Sequence, residues 1–102
     1  MKFNFEDTKY DISVTSKFKC DYKRIVKQNK NIKKLILVLE KIVKGERLDD
    51  KYMNHLLIND KFYKNCLECH IEPDWILIYQ IRKDKLVLVL TRTGSHGELF
   101  KK

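Results

Sequence analysis

The sharpest pattern of apolar and polar positions lies in the C-terminal third of the chain. Cys69-His70-Ile71-Glu72-Pro73-Asp74 runs directly into Trp75-Ile76-Leu77-Ile78-Tyr79-Gln80-Ile81, and Leu86-Val87-Leu88-Val89-Leu90 follows after the polar residues 82–85. A four-residue gap between two strand-like runs predicts an antiparallel hairpin. Upstream, Tyr10-Asp11-Ile12-Ser13-Val14-Thr15 alternates and predicts a strand. Ser16 is placed to cap a helix that starts near Lys17 and carries Phe18, Tyr22, Ile25 and Val26 on one stripe. After a polar break at 28–31, Ile32, Leu35, Ile36, Leu39, Ile42 and Val43 predict a second helix, ended by Gly45. Residues 46–61 read as loop, 62–70 as a strand, and 1–9 as a tail without period. The order β-α-α-β-β-β is that of an α+β domain, with two N-terminal helices packed on an antiparallel sheet of about four strands.

The hairpin has a chemical consequence. Closing it brings residues 70–75 to residues 92–96 at one end of the sheet. His70, Asp74, Trp75, Arg92 and His96 then share a small surface, with His55 in the adjoining loop and Phe100 four residues beyond His96. Imidazoles exchange protons near neutral pH, which suits general acid–base work. An arginine at the end of so apolar a strand needs an anion or a cleft.

Length, charge and cysteines narrow the class. The 102 residues make one domain with one modest core, and 22 Lys and Arg against 14 Asp and Glu give a net charge of +8. Such a balance favours polyanionic partners. Eight of the basic residues fall between Lys17 and Lys34, with Asp21 the single acid. Lys17, Lys19, Lys23, Lys33 and Lys34 are therefore candidate contacts for a phosphate backbone. No export signal and no membrane-length apolar run is present, so a cytoplasmic location with reduced thiols is expected. Cys66-Leu67-Glu68-Cys69-His70 has the spacing of a haem or zinc motif. On a strand, however, Cys66 and Cys69 point to opposite faces, so no metal or cofactor is expected there.

Histidines, an arginine and aromatics in one cleft of a basic domain fit cleavage of RNA. The neighbouring 2′-hydroxyl is the nucleophile, so the protein must supply a base, an acid for the 5′-oxygen and a cation, without a metal.

The run His70-Ile71-Glu72-Pro73-Asp74-Trp75-Ile76-Leu77-Ile78-Tyr79, then Arg92-Thr93-Gly94-Ser95-His96 and Leu99-Phe100, resembles the YafQ branch of the RelE/ParE toxin superfamily. Tyr52-Met53-Asn54-His55-Leu56 resembles an earlier segment of that branch, with Asn54 where an acid is usual. The resemblance covers about residues 10–100. It implies a toxin of a type II toxin–antitoxin system, acting as a ribosome-dependent mRNA endoribonuclease. Its implied partners are an acidic, DNA-binding, dimeric antitoxin, the ribosome and mRNA, with the toxin alone a monomer and no membrane involved. By the same resemblance His96 is the general acid. Asp74 with His55 or His70 supplies the base, Arg92 holds the phosphate, and Trp75 and Phe100 contact substrate. Two other functions share such a scaffold or charge: a ParE-like topoisomerase inhibitor, and a basic RNA-binding module without catalysis.

Overall fold

The computed structural model describes residues 3–100. The elements are β1 (Asp11–Val14), α1 (Ser16–Lys27), α2 (Ile32–Val43), one 3₁₀ turn at Asp50–Tyr52, β2 (His55–Leu56), β3 (Leu67–Glu72), β4 (Trp75–Arg82), β5 (Val87–Gly94) and α3 (His96–Leu99). The two helices and the β4–β5 hairpin stand where the apolar pattern puts them. The sheet has five strands rather than about four, in the order β1-β5-β4-β3-β2. It is not wholly antiparallel, because β1 runs parallel to β5, from Asp11 opposite Val87 to Val14 opposite Leu90. Alternation predicts that a strand forms but fixes neither its neighbour nor its direction. The two helices between β1 and the rest of the sheet supply the crossover that a parallel pair needs.

Local chemistry accounts for the other departures. The cap of α1 is Thr15 rather than Ser16: its hydroxyl accepts from Phe18 N at 3.0 Å and donates to Thr91 O at 2.7 Å, so one side chain both starts the helix and ties it to β5. Asp60 accepts from the backbone N–H groups of Phe62 and Tyr63, which winds the chain into turns and delays β3 to Leu67. Gly45, at φ +78°, closes α2 with paired bonds from Gly45 N to Ile42 O and Glu46 N to Lys41 O.

Both helices lie on one face of the sheet. Phe18 and Ile25 of α1 and Leu35, Leu39 and Val43 of α2 pack there against Trp75, Leu77, Tyr79, Leu88 and Leu90. Phe3 and Phe5 also pack against this cluster, so part of the segment expected as a tail is laid on the core, while residues 1–2 lie outside the described residues. The other face holds a smaller cluster of Tyr63, Cys66, Ile76, Ile78 and Leu99.

Cys66 and Cys69 fall in opposite clusters, as the two-residue period of a strand requires. Burial pushes the Cys69 thiol up to about 12, and that of Cys66 is also raised by burial. Cys20 is exposed. A disulfide-exchange reagent at neutral pH is therefore expected to label Cys20 rapidly in the native protein, and all three thiols only in denaturant. Rapid labelling of Cys69 in the folded chain would contradict this packing.

Candidate active site

The site grows from β3. Alternate residues of a strand share a face, so Glu68 and His70 project together from the face opposite α1 and α2. β2 sets His55 directly opposite Glu68. β4 sets Ile76 opposite both His70 and Gly94, so the end of β5 lies across one strand from His70. Ser95 then caps α3 with a reciprocal bond to Glu98, and His96 is the first residue of that helix. Three histidines from three elements are thereby gathered at one rim.

At their centre is Glu68, which is only 4% exposed. Its Oε1 lies 3.2 Å from His96 Nε2, 3.3 Å from His70 Nε2 and 3.9 Å from His55 Nε2. A carboxylate out of water needs donors, and His70 and His96 are the imidazoles within hydrogen-bond reach. The rings of His70 and His96 are 5.3 Å apart between centroids.

The other ring nitrogens are held as well. His55 Nδ1 lies 2.7 Å from Met53 O and His70 Nδ1 lies 3.3 Å from Pro73 O, so each donates to a carbonyl and turns Nε2 toward Glu68. His96 Nδ1 is 3.7 Å from Asp74 Oδ1, and the same oxygen accepts from His96 N at 3.3 Å. In its protonated form His96 has one donor for each of the two flanking carboxylates. Phe100 stacks against the His96 ring at 5.9 Å and 21°, and meets Tyr63 edge-on. Asn54, in the place of the usual acid, accepts from Tyr79 Oη at 2.6 Å and so anchors the segment that carries His55.

The structure thus brings together His55, His70, Asp74, His96 and Phe100. The other expected contacts are buried, partly engaged or set on another face. Trp75 is fully buried on the helix-bearing face, where its Nε1 donates to Thr93 Oγ1 at 2.9 Å, so the indole has no surface to offer a substrate. Arg92 does not have its guanidinium fork free, because Nε and Nη2 are bonded to Asp21 at 2.6 and 3.0 Å. That carboxylate keeps the guanidinium even more firmly protonated than usual. Lys17, Lys19 and Lys23 are exposed on α1, which covers the face opposite the imidazoles. Lys33 and Lys34 open α2, and Lys34 reaches the rim through a 2.7 Å ion pair with Glu72, two residues before Asp74.

Glu68 is the site residue absent from the sequence reading, hidden between the two cysteines of an apparent metal motif. Its signal is the spacing Glu68-Cys69-His70, which on a strand puts acid and imidazole side by side. Glu68, His70 and His96 each direct one ligand atom to a common region, all within 4.8 Å of one another. The carboxylate oxygen lies 3.2 and 3.3 Å from the two imidazole nitrogens, which matches the edge of a tetrahedron with bonds of about 2.0–2.1 Å. The donor set therefore fits a zinc- or copper-class ion.

Comparison with known proteins gives a consistent result. A family model described as "Bacterial toxin of type II toxin-antitoxin system, YafQ" matches residues 10–101. The mRNA interferase toxin YafQ of Escherichia coli BL21-DE3 is 36% identical over 91 residues, which are 88% of this chain and 95% of that protein. A metal-bound toxin from Helicobacter pylori superposes with a TM-score of 0.83 at 38% identity, over 89% of this chain and 99% of that one. The E. coli DinJ-YafQ toxin–antitoxin complex gives a TM-score of 0.81 at 31% identity, over 90% and 98% of the two chains.

Proposed function

This chain belongs to the YafQ family of bacterial toxins of type II toxin–antitoxin systems, and from that membership and its ring of imidazoles we propose that it is an endoribonuclease that cuts mRNA on the ribosome. The observation that carries the reading is the buried Glu68 with three histidine Nε2 atoms turned toward it.

The chemistry follows from the held tautomers. His55 is half exposed, and with Nδ1 donating to Met53 O its Nε2 presents a lone pair. It is the base that takes the proton of the 2′-hydroxyl. The oxygen attacks the adjacent phosphorus, and the P–O5′ bond breaks. His96, oriented through Asp74, gives its proton to the departing 5′-oxygen. Glu68 stabilises the imidazolium that forms on His55 and the one that His96 brings to the reaction, and His70, when protonated, adds positive charge beside the phosphate. Arg92 contributes through Nη1, the edge that Asp21 leaves uncovered. Phe100, already stacked on His96, is placed to hold a nucleotide base.

A metal ion is not required by this scheme. If one bound Glu68, His70 and His96, it would displace the proton that His96 donates and occupy the carboxylate beside it. A toxin from Helicobacter pylori that shares this fold at 38% identity is metal-bound.

The partners follow the family: a cognate acidic antitoxin, as DinJ is paired with YafQ in E. coli, and the ribosome with its message. The free toxin is a monomer of the cytoplasm. No helix among the described residues is long and apolar enough to cross a membrane.

The scheme is tested by placing a single 2′-deoxynucleotide at the mapped cut in a message on programmed ribosomes. Cleavage there is expected to stop, and the all-ribose message is expected to yield a 2′,3′-cyclic phosphate and a 5′-hydroxyl, with EDTA causing no loss. Cutting of the deoxy-substituted message, or dependence on added metal, would overturn it.

A further inference from the structure

Asp21 is the single acid in the basic stretch of α1 and α2, yet it is 1% exposed. Its carboxylate accepts from Arg92 Nε at 2.6 Å, Arg92 Nη2 at 3.0 Å, Arg24 Nη2 at 2.9 Å and Thr93 N at 3.1 Å. The topology explains the position. β1 leaves β5 at Val14, so beyond Leu90 the outer edge of β5 has no strand beside it. Side chains of α1 and its cap take over the ladder, Thr15 bonding Thr91 O and Asp21 receiving Thr93 N. The same carboxylate then grips the guanidinium of Arg92 and leaves only Nη1 turned to Tyr63, in the cluster with Leu99 and Phe100.

The network continues to the histidine helix. Arg24 Nε lies 3.1 Å from Glu98 Oε2, an ion-pair contact without hydrogen-bond alignment. Glu98 Oε1 accepts from Ser95 N at 2.9 Å, the residue before His96. Gly94 leaves room for this junction: at φ +153°, a Cβ there would stand 2.9 Å from Glu98 Oε1 and 3.0 Å from Arg24 Nη2.

We infer that Asp21 is a positioning residue: it sets the Arg92 guanidinium and, through Arg24 and Glu98, the start of the helix that carries His96. The catalytic half of this inference rests on the endoribonuclease reading; the structural half does not. An α1 residue on the far side of the sheet thereby controls two groups of the cleavage site.

Three variants, read by NMR and by cleavage kinetics, test it. In Asp21→Asn the proton NMR signal of Arg92 Nε–H is expected to shift and broaden, because its charged acceptor is gone. On programmed ribosomes kcat is expected to fall by about 10- to 100-fold with KM little changed, since misplacement acts on the transition state. Arg24→Gln leaves the Asp21–Arg92 bonds intact. It is expected to leave the Arg92 signal in place, move the His96 ring signals, and lower kcat by a smaller factor. If Asp21→Asn does not fold, Arg24→Gln and Glu98→Gln carry the same His96 and kcat test. An unmoved Arg92 signal in folded Asp21→Asn, unmoved His96 signals in Arg24→Gln, or kcat within about twofold of wild type in these variants overturns the inference. If wild type cleaves nothing, the NMR arm still decides the structural half, and the failure falls on the endoribonuclease reading.

Discussion

His96→Ala is expected to slow cleavage by about 10²- to 10⁴-fold, the usual contribution of one general acid. The side chain is 44% exposed and packs only against the rim, so the fold does not depend on it. Its backbone N–H keeps the bond to Asp74 in the variant, and Glu68 keeps His70 and His55 as neighbours. Unfolding midpoints should therefore match those of wild type while the rate collapses. The role can be isolated further. A message with sulfur in place of the 5′-bridging oxygen at the cut has a leaving group that needs little protonation. It should restore most of the rate to His96→Ala and none to His55→Ala, where the missing step is deprotonation. Equal rates for wild type and His96→Ala on the natural message would remove this imidazole from the chemistry.

Trp75→Ala is expected to destabilise the protein by about 3–5 kcal/mol, the range for deleting a fully buried large aromatic side chain. Trp75 has no exposed surface and packs in the main cluster with Leu77 and Tyr79. Its Nε1 also donates to Thr93 Oγ1, which in turn donates to Ile76 O at 2.9 Å, so truncation breaks a buried chain of hydrogen bonds as well as leaving a cavity. For a domain of this size each kcal/mol corresponds to about 4–8 °C in Tm. Trp75→Phe should show a smaller loss of the same kind. Where either variant remains folded, KM is expected to be unchanged, because the indole does not reach the substrate. A raised KM at an unaltered Tm would instead return Trp75 to the binding surface.

The sequence makes plain whatever a short-range rule governs. A four-residue loop between two apolar runs suffices to bring His70 to His96, and helical stripes suffice for α1 and α2. What it conceals depends on partners distant in the chain. The parallel pairing of β1 with β5 leaves no mark on residues 11–14 themselves. Asp21 reads as an incidental acid until β5 is seen to need a cap along its bare edge. Glu68 sits inside a pattern that draws attention to its cysteines, although the two-residue strand period already pairs it with His70. The same period, counted from His70 through its partner Ile76, assigns Trp75 to the opposite face. The role expected for Trp75 as a substrate contact came from the family resemblance, and its burial is set by this chain's own register.

The pairing of the first strand with the last has a consequence during synthesis. Nothing made early can complete the sheet alone: β1 must wait for Val87–Leu90, and His96 follows later still. These closing segments emerge after every other strand and both long helices, and long-range pairings of this kind form slowly. A chain that has emerged only as far as β4 therefore carries His55, Glu68 and His70 of the candidate site without the His96 that completes it.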